Sequence, residues 1–587
     1  MFKALILFAV LVAAHTIFAQ SDNRVALIVQ NKDTKEGVAD AVVTVKGTPI
    51  SIIADAAGRA SLTNIPPGEQ TIEISSPGYE TAEIKLVFPL ADLSERTVLL
   101  SLNNEVGEVT ITSTRTGREI EAEPTRVEAI DEEEIDEKIS MRPANVSMVL
   151  HESTGIQVQQ TSATSNSQSV RIQGLDGRYT QILKDGFPAY GGFSGSLSVL
   201  EIPPLDLKQV EIIKGPAATL FGGDAIAGVV NFVTKNPEEK PVTTLVLNQT
   251  SALGTDFSIF NSNKYRRFGY TILGSANYQK EYDVDDDDFT ELPKTSAFGL
   301  TPKFLFYVDD KTTLTVGNST SYQDREGGDV FALNGRTDAL HQYFEQTTSF
   351  RNVSTFNFDR EFADAGRVFA KQSFAFFSRD LSTPNYSFMG NQFNSFTDVS
   401  YSRLFGKHAI VFGGSAIYDA FREDTTANQT PRGETRAYGG VFAQDTVDLT
   451  SKLSLEAGFR LDYAKDYGAF ALPRVSALYR FNDRLTTRIG IGLGYKTPTM
   501  FTEDAETLLF QNVAGVGRNL KAERSTGGTF DINYRGNLGE EFSYSLNQML
   551  FYTQVSDPII LRPDTDGIYR FSNAVSPVIS KGFETNA

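Results

Sequence analysis

From Pro241 onward the sequence alternates apolar and polar residues over one long stretch after another. The clearest apolar sets are Leu453, Leu455, Ala457, Phe459, Leu461 and Tyr463; Ile489, Ile491, Leu493 and Tyr495; and Phe530, Ile532 and Tyr534. Successive side chains of a strand point to opposite faces, so each stretch predicts a strand with one apolar and one polar face. Many long strands of this kind predict a membrane-spanning antiparallel β-barrel with lipid outside and a polar lumen inside. A water-soluble β-sandwich is the alternative, but it does not explain so many polar faces.

The predicted connections between these strands are of two lengths. Short turns are expected at 309–311, 363–366, 405–408, 450–452 and 482–484, whereas Gly327–Thr347 and Thr497–Ser525 are long. Short turns on one side and long loops on the other are typical of outer-membrane barrels, and we count about 16 strand candidates. The fold class is therefore mainly all-β.

The composition argues against several classes of protein. The chain has 73 acidic and 54 basic residues, a formal net charge of −19, and no cysteine. A nucleic-acid partner would require a basic face, so none is expected. The four histidines are scattered without metal-ligand spacing, so no metal ligands are assigned. No nucleophile–base pair or phosphate-binding loop stands out, so no catalytic residues are assigned and no enzymatic activity is expected.

The first 19 residues have the features of a secretory signal peptide. Lys3 gives a charged start, Ala4–Ala14 an apolar core, and Ile17–Ala19 a cleavage site with a small residue. A membrane anchor is the alternative, but the apolar run is shorter than a bilayer span. We therefore predict export, with residues 1–19 as the signal.

Residues 25–102 predict a separate β-sandwich, because short alternating runs such as Val43–Val45 and Ile72–Ile74 are divided by Gly and Pro turns. The order G-V-A-D-A-V-V-T-V-K-G-T, D-A-A-G-R, N-I-P-P-G resembles the carboxypeptidase regulatory-like domain. That resemblance implies a periplasmic spacer or docking module. A carbohydrate-binding sandwich is the alternative, since fold does not determine function.

Val210–Lys235 predicts a strand, a break at Gly215-Pro216, a turn at Gly222–Asp224 and a second apolar strand. Its wording, V-E-I-I-K-G-P followed by F-G-G-D-A-I-A-G-V-V-N-F-V-T, closely resembles the end of the plug domain of TonB-dependent outer-membrane receptors. The earlier run I-Q-G-L-D-G-R-Y-T-Q-I-L-K-D-G resembles the same domain. The resemblance implies a plug at 126–236 inside an outer-membrane barrel at 237–587.

Within the plug we expect a helix that opens at Asp131–Ile135, because acidic residues favour a helix N-terminus. A second short helix is expected over Ala144–Leu150. Ser169–Gly174 and Tyr179–Lys184 are expected to pair as a hairpin. The family usually has Arg where this chain has Gln173 and Lys214. Neither residue reproduces the bidentate pair of a guanidinium, so an ion pair between plug and barrel is not expected at these two sites.

Residues 103–125 are polar and predict a linker. Inside it, Glu108, Val109, Thr110, Ile111 and Thr112 form a short β-prone run, which the edge of another sheet can capture. The run resembles the TonB box. The resemblance implies that TonB, driven by the inner-membrane proton gradient, binds these residues and remodels the plug.

The resemblance also implies a barrel of roughly 22 strands, which the family closes around a plugged lumen. Barrels of the family end in an aromatic residue, whereas Gly582–Ala587 resembles a strand that has just begun. We therefore expect an incomplete, C-terminally truncated barrel with about 16 strands and open edges, unless another chain completes it.

Two plug segments, Gln160–Gln168 and Pro188–Ser198, are expected to be loops that face outward. In the family such loops meet the ligand, which makes Tyr190, Phe193, Gln160 and Thr161 our candidates for ligand contact. The alternative for the two aromatic residues is packing against the barrel wall, the commoner use of a buried ring.

The expected function is TonB-dependent import across the outer membrane of a Gram-negative bacterium, with TonB, a small-molecule metal chelate and outer-membrane lipid as partners. Tyr495–Pro498 and Asn519–Glu523 resemble paired barrel motifs of receptors for iron compounds, but no His lies between them, as a haem receptor would have. A ferric siderophore is the first expectation, cobalamin the second and a glycan of the SusC-like type the third. Asp283–Asp288 is a possible Ca²⁺ loop or a solvated acidic tip. A signalling receptor and an adhesin or passive porin are alternatives of other classes.

Overall fold

The structure is a computed structural model and describes residues 23–587. Its internal gaps are residues 33–34, 49, 77–78, 80, 101–111, 113, 116–117, 152, 163, 189, 217, 363–365, 425–430, 483 and 539–541. The predicted signal peptide and four residues of the predicted TonB box, Glu108–Ile111, lie outside the described residues. The chain divides into two compact units, Met1–Glu108 and Val109–Ala587.

The first unit is a β-sandwich, as predicted. Its strands are β1 Val25–Asn31, β2 Val42–Val45, β3 Ser51–Ile53, β4 Arg59–Leu62, β5 Gly68–Ser75, β6 Ala82–Phe88 and β7 Arg96–Leu100. One sheet has the order β4-β1-β7 and the other β3-β2-β5-β6. Alternate residues such as Leu27, Val43 and Ile72 are fully buried between the sheets. The alternation of apolar and polar residues along these strands therefore gives each sheet one apolar face, and the two apolar faces pack on each other.

The second unit begins with a small α+β plug. Its elements are β8 Val127–Ile130, α1 Glu132–Met141, α2 Ser147–His151, β9 Ile156–Gln160, β10 Gln168–Ile172, β11 Thr180–Lys184, β12 Leu207–Lys214, α3 Ala218–Phe221 and β13 Gly228–Thr234. Asp131 caps α1 by accepting a hydrogen bond from the Glu134 amide at 3.0 Å, which is the helix start that the acidic run predicted. The predicted strand–turn–strand over Val210–Lys235 forms the antiparallel pair β12–β13.

Two local expectations for the plug were wrong. β10 pairs with β9, and β11 pairs in parallel with β13 in the sheet β11-β13-β12-β8, so β10 and β11 do not form a hairpin. A 3₁₀ turn at Gly177–Tyr179 redirects the chain between them. The expected loop at Pro188–Ser198 contains the start of a 3₁₀ run, Gly192–Glu201, whose apolar side chains are buried.

A 16-stranded antiparallel sheet forms the rest of the unit, and we call it the barrel sheet. Its strands are β14 Val242–Gln249, β15 Gly254–Tyr265, β16 Phe268–Gln279, β17 Lys294–Asp309, β18 Thr312–Gly328, β19 Phe344–Phe362, β20 Gly366–Thr383, β21 Tyr386–Phe405, β22 His408–Asp424, β23 Gly433–Asp448, β24 Leu453–Ala464, β25 Gly468–Arg480, β26 Leu485–Lys496, β27 Glu523–Leu538, β28 Phe542–Ser556 and β31 Val578–Asn586. The hairpin of β29 Ile559–Pro563 and β30 Tyr569–Asn573 lies between the last two strands, α4 Val330–Leu333 between β18 and β19, and α5 Glu503–Thr507 between β26 and β27. In the described part of the chain, no pairing joins β14 to β31.

The barrel sheet carries its apolar residues on the outside. In β24, Phe459 and Tyr463 are 51% and 66% exposed, whereas Arg460 and Asp462 between them are buried. A soluble sheet shows the opposite arrangement, with polar residues outward. Plug side chains contact strands from β19 to β31, as the contacts below show, so the sheet curves around the plug. None of the described helices is long and apolar enough to cross a membrane.

The two ends of the barrel sheet differ, as predicted. Residues 280–293, 329–343, 497–522 and 557–577 all connect strands at one end, which we call the loop side. The other end, the turn side, has short connections such as 266–267, 310–311 and 406–407. The predicted long segments at Gly327–Thr347 and Thr497–Ser525 are slightly too wide, because the flanking strands extend into both.

Candidate ligand cavity and plug contacts

A large cavity lies between the plug and the loop-side half of the barrel sheet. It encloses about 1260 Å³, part of it open to solvent. Gln392, Asp419 and Arg436 line it, and each lies near the loop-side end of β21, β22 or β23. The plug contributes residues of β10 and β11, the turn between these strands, the 3₁₀ run and the turn before β13. A solute arriving from the loop side therefore meets the plug at this cavity.

The turn between β12 and β13 of the plug contacts the first of the two barrel motifs, Tyr495–Pro498. Lys496 donates to Asp224 at 2.8 Å, and the Asp224 amide donates to the Tyr495 carbonyl oxygen at 3.1 Å. Gly223 permits this approach, since a Cβ there would lie 2.9 Å from the Tyr495 ring. Burial raises the pKa of the Asp224 carboxyl, but Lys496 and Arg436 outweigh it and hold the pKa below its ordinary value. Asp224 is therefore a charged member of the cavity wall.

The second barrel motif also holds the plug. Glu523, which is fully buried, accepts two hydrogen bonds from the Arg178 guanidinium at 2.6 and 2.8 Å and one from the Tyr179 hydroxyl at 2.9 Å. Burial is the main cause that raises the pKa of Tyr179, so the phenol stays protonated and can donate. Both motifs are thus plug anchors. From the sequence alone, no residue of either motif was predicted to belong to a site.

The four candidates for ligand contact are placed differently. Tyr190 and Thr161 line the cavity, and Tyr190 also lines a second cavity of about 490 Å³ beside β16–β19. The Arg351 guanidinium lies 4.9 Å from the Tyr190 ring centre and pairs with Glu201 of the plug. The Gln160 side chain is exposed and donates to the Ser162 carbonyl oxygen. Ligand contact at Tyr190, Thr161 and Gln160 stays a prediction.

Phe193 lies inside a cluster of aromatic rings and is 1% exposed. Its neighbours are Phe377, Phe388, Phe421 and Phe501, with ring centres 4.8–5.6 Å away. This is packing against the barrel wall, the alternative that the sequence left open. Contact between Phe193 and a ligand would require those rings to move.

Gln173 and Lys214 do join the plug to the barrel sheet, contrary to expectation. Lys214 Nζ lies 2.9 Å from Glu584 of β31 and 2.7 Å from Glu128, and Gln173 Nε2 donates to the same Glu584 at 3.1 Å. The expectation of no ion pair was wrong because it considered only a bidentate pair between one guanidinium and one carboxylate. One buried carboxylate instead takes a single contact from each of two residues.

On the turn side, Thr112, the last residue of the predicted TonB box, is tied to the plug, and the segment after it is tied to the barrel sheet. The amide and hydroxyl of Thr112 donate to Glu211 on β12 at 2.7 and 2.9 Å. Arg115 makes a bidentate pair with Asp398 at 2.8 and 3.2 Å, and Arg118 one with Asp448 at 2.9 and 3.1 Å. Displacement of Thr112 from the turn side would therefore disturb a carboxylate in the central sheet of the plug.

The acidic loop before β17 brings four carboxylates together. Single oxygens of Asp283, Asp285, Asp287 and Glu291 lie within 4.8 Å of one another, in a largely exposed position. Hard oxygen ligands suit Ca²⁺, but exposed acidic groups also cluster in loops without a metal. The calcium site stays a prediction.

With this geometry established, comparison with known proteins decides the family. Residues 240–587 match the family described as "TonB dependent receptor-like, beta-barrel", residues 119–229 the "TonB-dependent Receptor Plug Domain", and residues 24–103 the "Carboxypeptidase regulatory-like domain". The chain belongs to the TonB-dependent receptor family. The predicted family is thus confirmed, and the cavity and anchors described above are those of a receptor's plug and barrel.

Individual relatives are distant. The receptor is 24% identical over 353 residues to the iron-regulated outer membrane virulence protein of Vibrio cholerae, covering 56% of this chain and 52% of the relative. It is 21% identical over 490 residues to the probable TonB-dependent siderophore receptor PirA of Acinetobacter baumannii, covering 71% and 63%. The chain therefore spans about half to two thirds of the length of these relatives. The ferric enterobactin receptor PfeA of Pseudomonas aeruginosa, solved as a mutant form, has the same fold, with a TM-score of 0.63, 17% identity, and coverage of 81% and 78%.

Proposed function

We propose that this receptor imports a ferric siderophore across the outer membrane, with TonB supplying the energy and lipid surrounding the apolar face of the barrel sheet. One observation carries the proposal. The plug lines a cavity together with residues of the loop-side half of the barrel sheet, and on the turn side it binds Thr112 of the TonB box. The names of the relatives, an iron-regulated protein and a siderophore receptor, support iron as the cargo.

The proposal assigns the work to the protein's own contacts. A chelate enters the cavity from the loop side, where Tyr190 and Thr161 meet it. TonB takes up Glu108–Thr112 from the turn side by strand addition, which removes Thr112 from Glu211. Loss of these donors from a buried carboxylate destabilises the plug sheet locally. No bond of the ligand is made or broken, so the receptor acts as a transporter and not as an enzyme.

Uptake of labelled iron chelates tests the proposal. Cells that lack their own receptors would express the full chain, a variant with Glu108–Thr112 deleted, and a control variant with the five preceding residues, Asn103–Gly107, deleted. We expect energised uptake for the full chain and the control, and none for the box deletion. Labelled cobalamin and a neutral oligosaccharide serve as the alternative cargoes. Uptake of either without uptake of any iron chelate would refute the ferric siderophore.

A further inference from the structure

The wall of the ligand cavity is acidic. Its charged residues include three cations, Arg178, Arg436 and Lys496. Its carboxylates outnumber them and are Asp176, Asp224, Asp419, Glu503 and Glu506. Glu503 and Glu506 are each paired with one arginine behind the wall, Arg171 and Arg379. The ion-pair partners behind the wall do not remove this excess of carboxylates. The two arginines add two positive charges, but Glu434 and Glu523 add two negative charges.

Each of the three cations already lies beside one or more carboxylates among the described residues, although Nε and Nη1 of Arg436 make no hydrogen bond there. Arg178 is occupied by both oxygens of Glu523, and Lys496 by Asp224. Arg436 lies 3.5–3.8 Å from Glu434, Asp224 and Asp419, so one positive charge faces three negative ones. An anion bound at this wall would lie beside several carboxylates, and like charges placed together are strongly unfavourable.

Neutral hydrogen-bonding groups supply the rest of the polar wall. The side chains of Gln168, Gln181 and Gln392 are more than nine-tenths buried, yet a side-chain oxygen of each has no hydrogen-bond partner among the described residues. The same holds for a side-chain oxygen of Thr161, Thr180 and Asn394, and all six residues line the cavity. A buried polar atom without a partner is unfavourable, so a ligand that donates hydrogen bonds here satisfies the wall.

We propose that the cavity selects a ligand with no net negative charge that is rich in hydrogen-bond donors. The proposal rests on the proposed import function and narrows it. Among ferric chelates it favours the hydroxamate class, in which three ligand groups balance the charge of Fe(III). It disfavours the catecholate class, in which three groups leave a trianion. A neutral oligosaccharide shares the favoured chemistry, and the experiment separates it from the chelate.

Equilibrium binding to the full chain in outer-membrane vesicles tests the inference. The probes are a labelled ferric tris-hydroxamate, a labelled ferric tris-catecholate of similar size, and a neutral oligosaccharide. We expect the hydroxamate to bind at least about 100-fold more tightly than the catecholate, with a larger ratio at low salt because screening weakens repulsion. Equal or tighter binding of the catecholate would overturn the inference while leaving iron import intact.

Two variants show whether the wall charge is the cause. Asp419→Asn keeps the shape of a side chain that accepts from Gln392 and Asn394 but removes one negative charge. We expect it to reduce the preference for the neutral chelate by about tenfold. Asp359→Asn is the control, because Asp359 pairs with Arg367 near the turn side, outside the cavity. A preference unchanged by Asp419→Asn, or reduced equally by both variants, would contradict the inference.

The remaining outcomes separate the two proposals. Binding of the oligosaccharide alone would support the charge selection and refute iron as the cargo. If none of the three probes binds, the cavity is not a ligand site, and the charge selection falls together with the proposed function.

Discussion

At the scale of single residues, the plug is held by charged side chains that water barely reaches. Glu523 and its partner Arg178 are both removed from solvent, as are Lys496 and Lys214 in their pairs. Such pairs add little net stability relative to apolar residues, but removal of one partner leaves a buried charge uncompensated. These pairs therefore fix the position of the plug in the barrel sheet, and we expect substitution of either partner to be destabilising.

Glu523→Gln tests this at the most buried carboxylate. The substitution keeps the size of the side chain but leaves Arg178 charged and without its bidentate acceptor, so we expect a loss of about 3 kcal/mol in plug stability. Thermal melting and protease sensitivity of the plug in the purified receptor measure the effect. The control is Glu326→Gln, whose pair with Lys294 is partly exposed and should cost at most about 1 kcal/mol. Equal effects would contradict the assignment of Glu523 as an anchor.

At the scale of elements, the segment 112–125 contacts both the plug sheet and the barrel sheet. Thr112 contacts the plug sheet, whereas Arg115 and Arg118 contact β21 and β23 of the barrel sheet. An element held at both ends resists small displacements until its pairs break. We therefore predict that release of this segment gives TonB access to the box.

Substitution of Arg115 and Arg118 by Ala should therefore raise the affinity of the receptor for the soluble domain of TonB in the absence of ligand. We expect an increase of about thirtyfold, since two partly buried pairs that hold roughly 1 kcal/mol each sum to roughly 2 kcal/mol. Titration calorimetry with the full chain measures it. Arg535→Ala removes a more exposed pair with Glu121 and should change the affinity little. An unchanged affinity in the double variant would exclude these pairs as a restraint.

The loop between β18 and β19 carries a pH-dependent contact. A hydrogen bond from His341 to Asp338 raises the pKa of the imidazole and lowers the pKa of the carboxyl to about 2. Because the folded pKa of His341 is raised, the stabilisation is present below the ordinary pKa of about 6.5 and is lost as pH rises through the raised value. It is lost again only as pH falls toward the pKa of Asp338.

NMR titration of His341 measures this contact, and we expect Asp338→Asn to return its pKa to about 6.5. The loop should be more resistant to protease at pH 5 than at pH 8 in the unaltered chain and equally sensitive in the variant. A His341 pKa that does not respond to Asp338→Asn would show that the pair does not form.

Prediction from sequence succeeded for elements with a regular period or a fixed motif and failed for contacts between distant residues. The alternation at Leu453–Tyr463 gave β24, and Asp131 gave the start of α1. The β10–β11 hairpin was wrong because pairing partners come from tertiary context that local pattern does not carry. The contacts of Lys214 and Gln173 with Glu584 were missed because 370 and 411 residues separate them from it in the sequence. Only the folded barrel sheet brings these residues together.

The candidate site was predicted only in part for the same reason. The resemblance to plug loops that meet the ligand pointed to Tyr190 and Phe193, but a resemblance in sequence does not distinguish a lining ring from a packed one. Asp224 and Lys496 lay inside quoted motifs, and yet their pairing requires the barrel sheet to carry Lys496 to the plug's turn. Motif spacing identifies the family here, whereas the charge of the cavity is a property of the assembled wall.

At the scale of the whole molecule, the proposed import requires a plug that sits inside the barrel sheet and moves during transport. The barrel sheet offers a direct way to prevent that motion. A Cβ at Gly458 of β24 would lie 3.3 Å from the Cβ of Thr219 in α3 of the plug, close to the separation of about 3.8 Å in a disulfide. The chain contains no cysteine of its own, so a Thr219→Cys, Gly458→Cys pair has no competing thiol.

Energised uptake by this double variant is the most direct test. With the disulfide closed, the receptor should bind its ligand with unchanged affinity but import none of it, and a reductant should restore uptake. The two single-cysteine variants should import normally under both conditions. Undiminished uptake with the disulfide demonstrably closed would contradict the claim that plug motion against β24 is part of transport.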